Sequence, residues 1–364
     1  MSIRDLRSTN AVPAVENNGG LMVLLDSTLR GTDATHAAMN NRAGLYARDI
    51  RTEGYRVAID NQSGHRRGAG GPVVPEFTSA VPVSLFPSPG RAIGLPIKET
   101  PEVPWDDPAT WANVAKYGAD PAGEKDSSAA VQAAIDSGAT TVYFPTGTYA
   151  LSRPILVRKA VRRVVGFNSV VDYEGDIKPA FRVVDGEAPV VVVENFFPLG
   201  SGIRHESGRT LVVRDCELRS YEGTGRGDLY VEDVVAGPWS FDGQNVWARQ
   251  FNAENKGTHV MNRGGRFWVL GLKTERGGTL VETSAGGRTQ IDGGFSYTTE
   301  AGRLAAMFVS RDSWLSASFA EVCYNGEPYR TILSETRAGE TKTLHADDPR
   351  WNGTLILDTG HDGD

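Results

Sequence analysis

From Val191 onward the chain repeats a six-place pattern: apolar, variable, apolar, mostly charged, then Asn, Asp, Gln or Gly, then apolar again. It reads VVVENF from Val191, LVVRDC from Leu211, LYVEDV from Leu229, VWARQF from Val246, FWVLGL from Phe267 and TQIDGG from Thr289, with starts 20, 18, 17, 21 and 22 residues apart. Alternation with period two puts the first and third places on one side of a strand. The columns Val191, Leu211, Leu229, Val246, Phe267, Thr289 and Val193, Val213, Val231, Ala248, Val269, Ile291 therefore point inward and stack. An interval of this length, repeated, is the mark of a solenoid coil. The fifth column, Asn195, Asp215, Asp233, Gln250, Gly271 and Gly293, is dominated by residues that tolerate a left-handed corner. Past it the sixth column returns to Phe196, Cys216, Val234, Phe251 and Leu272, as a second wall requires. A companion series, Phe181, Ile203, Tyr221, Phe241, Val260 and Leu280, keeps a similar interval and predicts another wall of the same core.

The stretch before the repeat reads NVAKYGADPAGEKDSSAAVQAAIDSGATTVYFPTGTYAL, residues 113–151. It predicts a strand over Asn113–Tyr117 stopped at Gly118. A helix follows, capped by Asp126 or Ser127, with Ala130, Val131, Ala134 and Ile135 on one face, and Gly138 ends it. A strand over Thr141–Phe144 then turns at Pro145-Thr146-Gly147. This segment resembles the opening of the pectate-lyase-like superfamily, where a short amphipathic helix caps the first coil and a YFPxGxY corner starts the winding. Phage tailspikes and glycoside hydrolase families 28 and 55 open similarly. The resemblance implies an all-β, right-handed, single-stranded parallel β-helix with a short capping α-helix at its N-terminal end.

Residues 1–60 read as strands, and 61–110 as a Gly/Pro-rich linker; the β-helix is expected over 111–335 and a closing strand or tail over 336–364. This layout is similar to the second β-helix of glycoside hydrolase family 55, whose members carry two in tandem and act as β-1,3-glucanases. On that resemblance, 1–60 is the remnant of an upstream helix, most of which the chain lacks. The resemblance further implies a polysaccharide or oligosaccharide partner, inverting hydrolysis by two carboxylates, and a secreted or periplasmic location, although MSIRDLRSTN has no apolar signal core. It rests on the opening segment and the repeat. The ordered motifs of family 28 are missing, and Asp347-Asp348 and Gly360-His361 fall in the tail.

Outward positions hold the candidate chemistry. Tyr230, Trp247 and Trp268 occupy the second column on neighbouring coils, a row suited either to stacking on sugar rings or to packing under the linker. The fourth column, Glu194, Arg214, Glu232, Arg249, Leu270 and Asp292, alternates in sign and predicts a ladder of ion pairs, which demotes Glu194 and Glu232 as catalysts. Past the corner, Glu254 and Glu275 align one coil apart and are the candidate catalytic acid and base. Asp233 and Asp242 stand in reserve. Asp215 with Asp233 partly matches a calcium-dependent lyase, though both are as well explained as corners.

Composition narrows the classes. Gly 42 and Pro 19 suit many turns between short strands, and a net charge of -7 with only short basic runs argues against nucleic acid. Two cysteines, Cys216 and Cys323, make no disulfide framework, the six histidines are scattered, and no apolar run spans a membrane. No cofactor or metal is expected, and the chain is read as a monomer or, if tailspike-like, a trimer. Three functions stay open: a polysaccharide hydrolase, a lyase on uronic-acid polymers, and a glycan-binding β-helix without catalysis.

Overall fold

The computed structural model describes residues 1–64, 66–173, 179–300, 305–351 and the backbone of Ile356–Asp358. Over these residues the chain is all-β apart from one α-helix and short 3-10 turns, and its long strands stack in parallel as a right-handed β-helix. Gly360-His361 lies outside the described residues. Two compact units are present: Pro96–Trp268 with Thr274–Arg288, and Met1–Leu95 with Val269–Lys273 and Thr289–Asp364.

In the first unit the long strands β1 (Arg163–Tyr173), β2 (Val190–Leu199), β3 (Thr210–Leu218), β4 (Leu229–Ala236) and β5 (Asn245–Glu254) pair in parallel in chain order. β6 (Arg266–Glu275) follows β5 in the same sheet. The register aligns Val191, Leu211, Leu229 and Val246, then Val193, Val213, Val231 and Ala248, as the repeat predicts, and every one is buried. A second parallel sheet runs through Ile155–Lys159, Phe181–Gly186, Ile203–His205, Tyr221–Gly223, Trp239–Asp242, Val260–Arg263 and Val281–Ser284. Rings fill the space between the sheets: Phe144, Phe181 and Phe196 meet at 5.3 to 6.1 Å, and Trp239 lies 4.6 Å from Phe251. Asn195, Asp215, Asp233 and Gln250 all take positive φ, between 49° and 63°, so the fifth column is a row of left-handed corners. Next to one of them Cys216 is buried, and its thiol is pushed up to about 12 by that burial.

At the N-terminal end of this unit α1 (Ser128–Asp136) buries Val131, Ala134 and Ile135, while Ala130 stays half-exposed. Ser127 is the N-cap by backbone position but makes no side-chain cap bond. Asp126 supplies the oxygen instead, accepting the Ser128 N–H at 2.9 Å. The Gln132 side chain accepts the Leu156 N–H at 2.8 Å and donates to its carbonyl at 3.2 Å, so the helix satisfies the backbone of the first strand of the second sheet. The strand expected over Asn113–Tyr117 is shorter than predicted. Only Ala112–Asn113 pairs, because the Asn113 side chain accepts the Ala115 N–H at 2.9 Å and starts a 3-10 turn over Val114–Tyr117 that Gly118 closes at φ 97°.

In the other unit Ser2–Arg4, Leu21–Leu25 and Gly44–Glu53 form one parallel ladder, and Val15–Asn17, Ala37–Asn41 and Val57–Asn61 another. Asn17 donates to Asn41 at 2.7 Å and Asn41 to Asn61 at 2.6 Å, an amide ladder that runs along the coils. Asp5, Asp26 and Asp49 take positive φ there, again one per coil. Later in the chain this unit holds β7 (Arg288–Thr298) and β8 (Trp314–Cys323). Thr331–Arg337 then turns back against Glu340–His345 as an antiparallel hairpin.

Candidate functional site

The aromatic second column is covered. Tyr230 and Trp247 stack with centroids 5.1 Å apart and planes 20° apart, but they are 4% and 5% exposed, and Trp268 is 1% exposed. Over Tyr230 and Trp247 the covering layer is residues 96–106, which carry no regular element, and the Arg249 guanidinium lies 5.2 Å from the Trp268 ring. The Trp247 indole N–H donates to the Pro96 carbonyl at 2.9 Å, and the Lys98 ammonium sits 4.4 Å above the same ring. Lys98 also pairs with Asp228 at 3.0 Å, the Thr100 hydroxyl donates to Glu232, and Arg249 binds the Lys98 carbonyl at 2.8 Å and Glu99 at 3.0 Å. As placed, the row is no open platform for a sugar, because residues distant in sequence lie over it. The same layer alters the expected charge ladder. Glu194 is held between Arg163 and Arg214, but Glu232 and Arg249 turn to partners in 96–106.

Glu254 and Glu275 each end a strand, β5 and β6, which are neighbours in the sheet, and both are half-buried. Glu254 accepts the Asn252 amide at 2.9 Å. Asp233 is a corner residue, and Asp242 lies at the exposed end of its strand opposite Arg263. Burial, then the Asp233 carboxylate, pushes the Asp215 carboxyl above its usual range. His205 and His259 are both in the core. Among the described residues no group of three His, Cys, Asp or Glu comes together to hold a metal ion.

A constellation not picked out from sequence lies in the other unit, on β7 and β8. Gly293 takes φ 86°, and a Cβ there would meet the Ser2 hydroxyl at 1.9 Å; a Cβ on Gly294 would meet the Phe319 ring at 2.3 Å. Beyond this Gly-Gly corner the alternation resumes, sending Ser296 and Thr298 inward and Phe295 and Tyr297 outward. Phe295 is 41% exposed and its ring lies 6.1 Å from Tyr297. Tyr324, 73% exposed, lies 6.4 Å from Tyr297, and its N–H donates to the Thr298 carbonyl at 3.1 Å, fixing the loop after β8 to the end of β7. The Lys273 ammonium is 5.1 Å from the Tyr297 ring.

On β8, beside β7 in the sheet, Glu321 is half-buried and accepts the Tyr329 N–H at 3.2 Å. Burial pushes its carboxyl above the usual carboxylate range. Burial, then the Glu321 charge, pushes the phenol of the core residue Tyr329 up as well. The rings and the cation thus gather on the outward side, whereas the Glu321 carboxyl is hydrogen-bonded to the inward-facing Thr298. In sequence the only trace is the alternation FSYT, directly after the last aligned column. No helix of the described residues is long and apolar enough to cross a membrane.

The family described as rhamnogalacturonase A/epimerase, pectate lyase-like, matches residues 111–166, from Trp111 through α1 into β1. That segment is accordingly similar to the start of a pectate-lyase-like β-helix. No curated protein matches the chain. Among solved structures, Geobacillus virus E2 ORF18 is 15% identical over 62% of this chain and 60% of its own, with TM-score 0.33. The Streptococcus pneumoniae surface protein and adhesin PfbA is 9% identical over 59% of this chain and 86% of its own, with TM-score 0.37. An iota-carrageenase complexed to iota-carrageenan fragments is 14% identical over 57% and 58%, with TM-score 0.29. The aligned part of this chain therefore spans less than two thirds of both the phage protein and the carrageenase.

Proposed function

We propose that the protein is a carbohydrate-active enzyme that cleaves a polysaccharide, with Glu321 as the proton donor. The observation that carries this reading is a half-buried carboxyl on β8, held by Thr298 and the Tyr329 N–H and pushed up by burial. Breaking a glycosidic bond requires a proton for the departing oxygen, and a carboxyl that stays protonated at higher pH can supply it. Exposed rings offer flat faces to the C–H side of a sugar. The match of 111–166 to a rhamnogalacturonase and epimerase family supports the substrate class, and a polymer substrate implies work outside the cell.

The finer reading is an inverting, β-1,3-glucanase-like hydrolase that uses Glu254 and Glu275, favoured by their placement at the ends of neighbouring strands. One panel tests both. Purified chain, Glu321→Gln, Glu254→Gln and Glu275→Gln are incubated with a β-1,3-glucan and with polyuronates, following reducing ends and the absorbance of unsaturated product. Glu321→Gln is expected to lower turnover by roughly 10²- to 10⁴-fold, the usual share of a general acid. Full turnover in Glu321→Gln removes that residue from the chemistry, and loss in Glu254→Gln or Glu275→Gln moves the reaction to that pair. Unsaturated product identifies a lyase.

A further inference from the structure

The chain contains three Asn-Gly pairs, Asn18-Gly19, Asn325-Gly326 and Asn352-Gly353. The last lies outside the described residues. In both of the others the Asn is exposed, and both belong to the same compact unit, yet their settings differ. The Asn18 side-chain carbonyl accepts the Arg42 guanidinium at 2.6 Å, and Arg42 donates in turn to Gln62 at 3.1 Å. Asn325 stands in the loop after β8, and among the described residues its side-chain amide makes no hydrogen bond.

The main chain around Asn325 is held. The Tyr324 and Asn325 N–H groups donate to the Thr298 carbonyl at 3.1 and 3.4 Å, and the Cys323 thiol donates to the Gly326 carbonyl at 3.1 Å. The Gly326 N–H takes no part in this, so among the described residues the two groups left unbonded are an amide side chain and the nitrogen that follows it. Gly326 is also required by packing. A Cβ there would meet the Glu300 carbonyl oxygen at 2.3 Å, so the close approach of the Glu300 backbone admits no side chain. The fold thus demands, next to an unbonded Asn, the one residue that leaves its nitrogen unscreened.

We propose that Asn325 is a site of self-modification, at which the Gly326 nitrogen attacks the Asn325 side-chain carbonyl carbon and the amide becomes a carboxylate. The Gly326 nitrogen loses its proton to solvent hydroxide and forms a C–N bond to Cγ. The bond from Cγ to the side-chain nitrogen breaks, and that nitrogen leaves as ammonia. Water then opens the five-membered imide at either carbonyl, giving aspartate or isoaspartate. Water is the only co-reactant, and Asn is among the residues most prone to such thermal loss. Either product adds one negative charge to a chain whose formal charge is -7. Isoaspartate also puts an additional carbon into the main chain directly after Tyr324, which is 73% exposed beside Tyr297. The loop that carries this ring therefore changes in charge and length without any enzyme.

Purified folded chain is held in mildly alkaline buffer at body temperature and sampled by peptide mapping with mass detection, which separates the three pairs. Each conversion registers as NH2 replaced by OH, and as an acidic shift on ion exchange. A charge-assisted hydrogen bond must break before Asn18 can cyclise, so Asn325 is expected to convert about ten- to a hundredfold faster than Asn18. The surface change Arg42→Ala should bring Asn18 up toward the Asn325 rate. Asn325→Gln should remove the product from this loop, since the larger ring closes far more slowly. Conversion of Asn325 only after the chain is unfolded in urea overturns the proposal. So does an Asn18 that keeps pace with Asn325 while Arg42 is intact.

Discussion

At the scale of single residues, His205 is the most exacting position in the core. Contact of its Nε2 with the Arg209 carbonyl at 2.8 Å places the proton there, which leaves Nδ1 to accept from the Gln244 amide at 2.8 Å, with the Tyr221 hydroxyl at 3.1 Å. Burial lowers its pKa to about 4, helped by the nearby Arg209 charge. Between pH 6.5 and 4 the unfolded chain takes a proton that the folded chain refuses, so stability falls as pH falls through this window. The full contribution is on the order of 3 kcal/mol. Thermal melts from pH 7 to 4 should show this slope, and His205→Gln should flatten it; an unchanged slope assigns it to other groups. Residue by residue, the inward columns were legible because strand alternation states which side a side chain takes. Alternation does not state what lies on the other side. The cover of Tyr230 and Trp247, contributed from more than a hundred positions earlier, could not be read from their own column. Glu321 escaped notice because it stands alone in its coil, recognisable only from the burial that raises its pKa.

At the scale of elements, the corners and the cap carry separate costs. Asp233 sits at φ 51° between the two walls of its coil. A left-handed conformation costs an ordinary side chain about 1–2 kcal/mol, and a β-branched one more. Asp233→Val should thus lower stability by about that amount in denaturant titrations, with Asp233→Gly close to neutral; equal losses would show that the Asp side chain, not the backbone, matters. For α1, burial raises the Asp126 carboxyl, but hydrogen bonds from Ser128 and Ser152 outweigh it and bring the pKa down to about 2. The cap is complete above the ordinary Asp value and is lost as pH falls toward 2. Asp126→Ala should cost about 1 kcal/mol at neutral pH and lose that difference in strong acid. The helix was legible from its small apolar face and Gly138. The first strand was overextended because the sequence pattern gives no weight to Asn113 turning its side chain onto Ala115.

At the scale of the molecule, each coil touches chiefly its neighbours, so damage should spread by distance along the stack. Trp239 is fully buried against Tyr221 at 5.4 Å and Phe251 at 4.6 Å. Trp239→Ala should cost about 3–5 kcal/mol. Amide exchange should quicken most in Tyr221–Gly223, β4 and β5 and fade toward α1; uniform quickening would mean that the coils unfold as one. Most of this architecture was readable because a solenoid writes the same instruction many times. The reactive groups were not, since a catalytic carboxyl need be written only once. The row of positive-φ corners carries one more consequence. Because every coil bends at the same place, the unequal coil lengths must be absorbed elsewhere, and the residues just after the bend keep a fixed lateral pitch. A whole coil gained or lost would slide the downstream groups by one such step and leave their mutual spacing intact. Chemistry mounted there is in effect transposable, and its position along the stack is free to change over evolutionary time while its geometry stays fixed.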